Sequence, residues 1–479
     1  MNKEKFYITT PIYYANGLPH IGHFLTTTIA DTLARYYRIR LGEDNVYFTT
    51  GLDEHGTTVE QAATKDGYKL ENFQEYVDKR VDQWKKPYEK TNISYDYFAR
   101  TTHPEHKKFA QDFIRTMKAN GDVYQSTYKG KYCNGCEKFL TLSDLNEEGY
   151  CPLHRPDQVV EVQEDNYFFK LSKYESQIKE LIQKDTIRIV PEAKKNEILA
   201  RLEQGIEDVS ISRPKEKVSW GVEFPDDAEQ TVYVWVEALL NYTSSLEINN
   251  KQEFWPYTVH LVGKDINWFH NVIWPAMLLS AGRELYKESF VHGFLNISGQ
   301  KISKSLGNLI TPDDLIEKYG ADGARYLILS NLPYKNDTDI TWELLTEKYN
   351  ADLANGLGNA TARLTKLAQN SGLEFEETVI DESIWELINE HLENYQVHKA
   401  IETIWQKLSQ LDKHINEHEP WAIKDEGKLQ EVLQHEINEL REIAFVIEPM
   451  LPKTSQKLQK ELSSKSLRSG EILFPRIKE

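Results

Sequence analysis

Two short motifs carry side chains that could bind phosphate, and the first is His20-Ile21-Gly22-His23. It follows a predicted strand and loop and opens a predicted helix, whose N-terminus has free N–H groups and a partial positive charge. Gly22 lets a flat group approach the backbone. His20 and His23 can donate to phosphate oxygens as charge develops in a transition state. Taken alone, such a motif is more often a pair of solvent-facing or capping histidines.

The second motif is Lys301-Ile302-Ser303-Lys304-Ser305, which places two lysines three residues apart on a segment with Ser and Gly. Lysine ammonium groups act on polyphosphate as point charges. The segment therefore predicts a mobile cationic loop that clamps phosphates. Taken alone, it fits an ordinary solvated basic loop at least as well.

The three cysteines form two knuckles together with one histidine. Cys133 and Cys136 make a Cys-x-x-Cys pair, and Cys151 and His154 make a Cys-x-x-His pair, both with turn-forming residues. Three thiolates and one imidazole suit tetrahedral Zn²⁺ with no open position, so we predict one structural zinc ion per chain. An odd number of cysteines cannot pair completely. The alternatives to zinc are ordinary buried thiols and a redox Cys-x-x-Cys, and the redox motif would leave the second knuckle unexplained.

Strand-like and helix-like segments alternate around the histidine motif. The pattern predicts a strand at 5–9, a loop at 11–19, a helix at 21–41, a strand at 46–49, a loop at 51–56 and further strands at 232–235 and 258–262. This order predicts an α/β fold with a doubly wound, Rossmann-like parallel sheet that is split by the zinc-knuckle insertion.

The last part of the chain has a helical pattern. No Pro occurs between Pro333 and Pro420, and apolar residues recur at helical spacing in 401–415 and in 429–447. We therefore predict an α-helical bundle. The predicted domains are a first catalytic half at 1–119, the insertion at 120–222, a second catalytic half at 223–291, a connector with the lysine loop at 292–345 and the helical domain at 346–479.

Composition excludes several classes of protein. The chain has 479 residues, and 57 Lys+Arg against 75 Asp+Glu give a net charge of −18. A general nucleic-acid coat protein is usually basic, although an enzyme can bind nucleic acid on one local face. The 40% hydrophobic content excludes a wholly disordered chain. Without a signal-peptide pattern or an apolar run of ~20 residues, we expect a cytoplasmic protein with no membrane partner.

The early histidine motif and the late lysine motif on one α/β scaffold resemble the class I aminoacyl-tRNA synthetases, and within them the methionyl-tRNA synthetase family. Segments 10–17, 233–242, 268–276 and 291–295 are also similar to this family, and the resemblance covers about 5–462. Two positions depart from it, because Ile302 stands where Met is usual and Glu237 where Asp is common. Neither changes a phosphate-contacting group.

The resemblance implies a ligase that activates L-methionine with ATP to methionyl-adenylate and transfers it to tRNA(Met) with the anticodon CAU. It also implies that His20, Gly22 and His23 contact ATP. Lys301 and Lys304 would stabilise the β- and γ-phosphates and the departing pyrophosphate. Mg²⁺ is expected to accompany ATP.

For methionine, the resemblance implies that Asp53 holds the ammonium group. The side-chain pocket then comprises Pro11, Ile12, Tyr14, Trp235, Ala238, Leu239, Tyr242, Ile266, Phe269, His270 and Trp274. A polarizable thioether suits such an aromatic pocket. An aromatic stripe is usually core, so we expect some of these residues to be structural.

Three residues resemble the anticodon readers of the family. Asn359 and Arg363 are an i,i+4 pair on one helical face, and Trp421 follows Pro420 between two predicted helices. A Trp ring can stack on an unstacked base while Asn and Arg hydrogen-bond its edges. For Arg363 the alternative is an ordinary solvated helix charge.

The expected partners are therefore ATP, L-methionine and tRNA(Met), both initiator and elongator, with no stable protein partner and a monomeric chain. The alternatives are another class I synthetase such as a cysteinyl or valyl enzyme, a small-molecule adenylyltransferase, and a catalytically inactive synthetase-like tRNA-binding protein. A small zinc-knuckle insertion does not fit an editing domain. The lysine loop and helical region count against an adenylyltransferase, and the intact motifs count against an inactive protein.

Overall fold

The computed structural model describes residues 4–140, 144–152, 154–297, 300–301, 310–377, 380 and 382–478. They form two compact units. The first comprises Met1–Leu18, Leu41–Lys86 and Tyr95–Val291, and the second comprises Pro19–Arg40, Pro87–Ser94 and His292–Glu479. Among the described residues, no helix has the length and apolar character that crossing a membrane requires.

The strands are β1 Phe6–Tyr14, β2 Val46–Asp53, β3 Tyr97–Arg100, β4 Val123–Cys133, β5 Lys138–Phe139, β6 Val159–Phe169, β7 Arg188–Val190, β8 Val209–Ser210, β9 Ser212–Pro214, β10 Glu223–Phe224, β11 Asp227–Val232, β12 Thr258–Gly263, β13 Glu288–His292, β14 Leu295–Ile297, β15 Gln300–Lys301 and β16 Thr338–Ile340.

The α-helices are α1 Ile21–Leu41, α2 Thr57–Lys65, α3 Phe73–Lys90, α4 Pro104–Ala119, α5 Glu175–Gln183, α6 Glu192–Leu202, α7 Val234–Ile248, α8 Trp274–Ser280, α9 Pro312–Ser330, α10 Trp342–Lys348, α11 Asn359–Ser371, α12 Asn389–Glu393, α13 Val397–His418, α14 Glu426–Val446 and α15 Pro452–Leu462. Two π-helical segments, Phe269–Ile273 and Tyr349–Gly358, lead into α8 and α11.

A six-stranded sheet with the order β3-β2-β1-β12-β13-β7 is the centre of the first unit. β1 pairs in parallel with β2 and β12, and β2 pairs in parallel with β3. β1 and β2 are almost wholly buried, as expected for strands in the middle of a parallel sheet whose two faces are covered. The predicted α/β class with a parallel sheet is therefore confirmed. β7 lies within the predicted insertion and forms an edge strand of this sheet.

Three local predictions are wrong in part. A loop was predicted at 51–56, but β2 continues to Asp53 and pairs with the end of β1. The segment 11–19 was predicted as a loop, but β1 continues to Tyr14, and its pairing with β2 shifts register between Thr9 and Ile12. This irregularity accommodates Pro11, which has no N–H to donate to a ladder. A strand was predicted at 232–235, but β11 ends at Val232 and α7 begins at Val234. Trp235 and its β-branched neighbours favour strands, and burial in a helix overrides that preference.

The predicted zinc segment lies at the end of a long antiparallel hairpin. β4 and β6 pair from Val123 opposite Phe169 to Cys133 opposite Val159. The chain between these strands carries both knuckles, and β5 pairs with the end of β4. The hairpin therefore brings the two knuckles to one end of a four-stranded sheet.

The second unit contains α1 and the predicted helical bundle. α1 begins and ends where the sequence predicts it, and α13 and α14 contain the two predicted apolar faces. Asp31 on α1 forms a fully buried ion pair with Arg325 on α9, with 2.7 Å between Oδ2 and Nη1. The guanidinium also donates to the carbonyls of Pro449 and Met450. This network connects α1 to the turn between α14 and α15.

Candidate functional site

Three aromatic rings form one wall of the predicted methionine pocket in the first unit. Trp235 on α7 stacks on Phe269 with 4.1 Å between ring centroids and 14° between ring planes. Tyr14, at the end of β1, meets Trp235 edge to face at 6.4 Å. The structure thus brings together side chains from three elements that are distant in sequence.

A buried polar pair involves Tyr242, which lies two turns after Trp235 on α7. The hydroxyl of Tyr242 is 2.6 Å from Nε2 of His270, and Nδ1 of His270 is 3.0 Å from the carbonyl oxygen of Ile266. Because that carbonyl is an acceptor, Nδ1 carries the proton and the Tyr242 hydroxyl donates to Nε2. Burial lowers the pKa of His270 to about 4, which keeps the imidazole neutral near neutral pH.

Most of the other predicted pocket residues lie on the same elements, whereas Trp274 begins α8 and Ile266 ends a short 3-10 helix at Lys264–Ile266. Trp235, Ala238, Leu239 and Tyr242 follow one face of α7. Pro11 and Ile12 lie on β1. Leu239 and Trp274 belong to the hydrophobic core, and the Trp274 Nε1 donates to His260. Trp274 is fully buried. The expectation that some of these residues are structural stays a prediction.

An acidic group lies beside the aromatic wall. Asp53 ends β2 directly opposite Tyr14 at the end of β1, and only 4% of Asp53 is exposed. Its Oδ1, the Tyr14 hydroxyl and the Trp235 Nε1 are buried with no hydrogen-bond partner among the described residues. Native proteins rarely leave buried polar atoms unpaired. Three such atoms in neighbouring side chains leave hydrogen-bonding capacity that a polar ligand can take up.

Burial raises the pKa of Asp53 well above its usual range, and the negative charges of Glu237 and Glu137 raise it further. The sequence did not predict a role for Glu137, nor the hydrogen bond of 2.6 Å that joins the buried side chains of His55 and Glu237. Glu237 was noted only as a departure from the family pattern. The available signals were the acidic loop that carries Asp53 and the position of Glu137 directly after Cys136.

In the second unit, the histidine motif caps α1. Nδ1 of His20 accepts from the Gly22 N–H at 3.1 Å, and Nδ1 of His23 accepts from the His20 N–H at 3.2 Å. The two rings are stacked with 3.6 Å between centroids. This reciprocal arrangement resembles a capping box. In the neutral rings Nε2 therefore carries the proton and is a donor.

Gly22 lets the imidazole of His20 lie close to the backbone, since a Cβ there would be 3.0 Å from Cε1 of His20. Lys301 ends β15, whereas Lys304 lies outside the described residues. The chain beyond the lysine motif returns to the start of α1, where the Ile310 carbonyl accepts from the Ile21 N–H at 2.9 Å.

The predicted metal ligands converge in the first unit. Sγ of Cys136 is 3.6 Å from Sγ of Cys151, and Nδ1 of His154 is 3.3–3.7 Å from the three sulfur atoms. Tetrahedral zinc with bonds of about 2.3 Å to sulfur and about 2.0 Å to nitrogen requires separations of roughly 3.5–3.8 Å. The cluster Cys133, Cys136, Cys151 and His154 is compatible with zinc binding.

The predicted anticodon residues lie on one face of the helical bundle. Trp421 lies between α13 and α14 and is 54% exposed. The guanidinium of Arg363 lies over its ring, 5.8 Å from the centroid. Asp412 and Asn416 on α13 accept from the same guanidinium at 2.8 and 2.9 Å. Asn359 is exposed one turn before Arg363 on α11. Arg363 is thus held in place rather than freely solvated.

Comparisons with known proteins agree with these features. The family model described as tRNA synthetases class I (M) matches 6–166 and 156–365. A methionine–tRNA ligase of Thermotoga maritima is 40% identical over 494 aligned positions, covering 98% of this chain and 77% of the relative. The enzyme of Clostridium tetani is 37% identical, with 100% and 79% covered.

Among solved structures, the methionyl-tRNA synthetase of Mycobacterium tuberculosis in complex with methionyl-adenylate superposes with a TM-score of 0.90 at 31% identity, covering 98% of this chain and all of the other. The sequence motifs, the parallel sheet, the cysteine–histidine cluster and these relatives agree: the chain belongs to the methionyl-tRNA synthetase family of the class I aminoacyl-tRNA synthetases.

Proposed function

We propose that this chain, as a member of its family, activates L-methionine with ATP in the pocket of the first unit and transfers the methionyl group to tRNA(Met). The observation that carries the proposal is the buried Asp53 carboxylate, with an unpaired oxygen, beside the wall of Tyr14, Trp235 and Phe269. Burial disfavours the charged form of Asp53, and a cationic partner offsets that cost. The α-ammonium group of an amino acid supplies that partner, and the aromatic wall receives the thioether side chain.

The polar pair at Tyr242 and His270 supports discrimination among side chains. The Tyr242 proton is used in the hydrogen bond to His270, so toward any further partner the hydroxyl oxygen is an acceptor. Both groups are neutral, and neither favours a charged side chain. Shape and polarizability then select the substrate, which fits methionine better than a charged amino acid.

The first reaction step joins the methionine carboxylate to the α-phosphorus of ATP and releases pyrophosphate. The residues position the reactants and stabilise negative charge, and no covalent enzyme intermediate is needed. The Nε2–H groups of His20 and His23 supply hydrogen-bond donors to phosphate. Each Nδ1 accepts from a backbone N–H, and this keeps the proton of the neutral ring on Nε2. Lys301 and Lys304 are proposed to neutralise the β- and γ-phosphates, and Mg²⁺ is proposed to accompany ATP.

In the second step, a hydroxyl group of the terminal adenosine of tRNA attacks the methionyl carbonyl and AMP leaves. We assign the anticodon contacts to Asn359, Arg363 and Trp421. The exposed Trp421 ring offers a stacking surface, and Arg363 is pre-oriented by Asp412 and Asn416. Zinc, when bound to the four knuckle ligands, stabilises the fold of the insertion. We place this reaction in the cytoplasm, with no stable protein partner.

Aminoacylation of unfractionated tRNA tests the proposal. Labelled methionine should enter acid-precipitable tRNA, and the charged product should be tRNA with the anticodon CAU, both initiator and elongator. Valine and cysteine serve as the matched alternatives because other class I synthetases use them. Charging by either amino acid at the methionine rate would contradict the proposed specificity.

A further inference from the structure

Glu137 joins the zinc knuckle to the segment that follows Asp53. It comes directly after the ligand Cys136, is 1% exposed and has a φ of 50°. Its Oε1 accepts from the Thr57 hydroxyl at 2.8 Å and from the Thr58 N–H at 2.5 Å. The carboxylate thus lies at the N-terminus of α2, where the helix dipole favours a negative charge.

The chain around this contact leaves space for the carboxylate. Gly56 has a φ of 95°, and a Cβ there would lie 2.6 Å from Oε2 of Glu137. The other end of the insertion holds the same segment, because the Gly56 N–H donates to the Trp220 carbonyl at 3.0 Å and the Trp220 Nε1 donates to the Glu54 carbonyl at 2.6 Å. The segment 54–58 is thus anchored twice by the insertion.

This segment continues directly from the proposed ammonium-binding residue. Asp53, at the end of β2, is three residues before Gly56. Oε2 of Glu137 is buried with no hydrogen-bond partner among the described residues. A shift of the knuckle would move Glu137, the start of α2 and the loop that carries Asp53.

We propose that Glu137 is a positioning residue that transmits the fold of the zinc knuckle to the methionine site. This inference rests on the proposed function. The zinc ligands then do more than stabilise the insertion. Through the side chain of Glu137 they also affect the affinity for methionine. The knuckle then affects methionine binding through the anchored loop, while the ATP-binding histidine motif lies on a different segment.

Four proteins test this: wild type, Glu137→Ala, Glu137→Gln and the exposed-site control Glu148→Gln. Zinc content, methionine affinity from Trp fluorescence, and the KM values for methionine and ATP are measured for each. Glu137→Ala should retain one zinc ion per chain, weaken methionine binding by about 10–100-fold and leave the KM for ATP unchanged within about twofold. Glu137→Gln keeps an acceptor oxygen for Thr57 and Thr58, so its methionine binding should weaken less than that of Glu137→Ala.

Removal of zinc from each protein measures the coupling. Metal depletion should weaken methionine binding by wild type and by Glu148→Gln, and amide exchange in 53–58 should become faster. In Glu137→Ala, depletion should add little further loss, because the connection is already broken. The proposal is overturned if metal depletion weakens methionine binding by the same factor in Glu137→Ala as in wild type. It is also overturned if Glu137→Ala binds methionine like wild type, or if its affinity for zinc or ATP falls as much as its affinity for methionine.

The wild-type control separates this inference from the function on which it rests. If wild type shows no methionine-dependent activity, the proposed function itself fails. If wild type is active and Glu137→Ala is indistinguishable from it, only the positioning role fails.

Discussion

Asp53 and Tyr14 end two neighbouring parallel strands, and each has a buried polar atom with no partner among the described residues. The carboxyl ends of parallel strands are where ligands bind in open α/β sheets. In the proposed site, Asp53 supplies a charge and the aromatic wall supplies a surface for the side chain. We therefore expect recognition of the amino acid to depend on very few atoms.

Asp53→Asn should lower kcat/KM for methionine by about two to three orders of magnitude, because it removes the charge that pairs with the buried ammonium group. The KM for ATP should stay within about threefold of wild type. Steady-state ATP–pyrophosphate exchange measures both, with the exposed-site change Asp44→Asn as control. A loss shared equally between methionine and ATP would mean that Asp53 supports the fold instead.

At the scale of elements, the zinc hairpin depends on a glycine. A Cβ at Gly135 would lie 2.4 Å from the imidazole of His154, which is too close for both groups to keep their positions. Gly135→Ala should therefore displace His154 and weaken zinc binding by about 10–100-fold. Competition with a colorimetric chelator measures the change, and Glu148→Ala is the control within the same segment. Unchanged zinc affinity would count against His154 as a ligand.

The connection between α13 and α14 presents Trp421, the proposed stacking residue. Trp421→Ala should raise the KM for tRNA by about 5–100-fold, as expected for the loss of one stacked base, while methionine-dependent exchange without tRNA remains at the wild-type rate. Leu344→Ala, another exposed apolar residue of the second unit, is the matched control. Equal loss in both assays would show that Trp421 is structural.

How much could be predicted from sequence also differs between elements. The zinc ligands and α1 were predictable because their signals are local, either a short spacing or a helical period. The contact between His55 and Glu237 joins residues 182 positions apart, and that between Glu137 and Thr57 joins residues 80 positions apart. No local pattern records such contacts. The prediction of a strand at 232–235, where α7 begins, was wrong because burial overrode the β-preference of its residues.

For the whole molecule, the net charge of −18 is a poor guide to partners. A tRNA-binding face needs only local positive charge, such as the oriented guanidinium of Arg363. An acidic group also affects stability within the second unit. Glu436 on α14 is fully buried, and its Oε1 lies 3.1 Å from Nδ1 of His414.

Burial raises the pKa of Glu436 to about 7, against opposing effects of His418 and Arg363. Between about pH 4.5 and pH 7 the folded state holds a proton that the unfolded state releases, so stability falls as pH rises through this window and is then constant. Glu436→Gln should remove this loss and stabilise the protein at pH 8 by about 1–3 kcal/mol.

Urea unfolding at pH 5 and at pH 8 measures this effect, with the exposed-site change Glu431→Gln as control. The difference in unfolding free energy between the two pH values should be smaller for Glu436→Gln than for wild type and the control. Identical differences in all three proteins would show that Glu436 titrates normally in the folded state.

The central claim is that the pocket beside Asp53 selects methionine for activation. ATP–pyrophosphate exchange with each standard amino acid in turn tests it most directly. Methionine should support exchange with a kcat/KM at least about 100-fold above that of any other amino acid. An equal or higher value for another amino acid, or no exchange with methionine, would contradict the account.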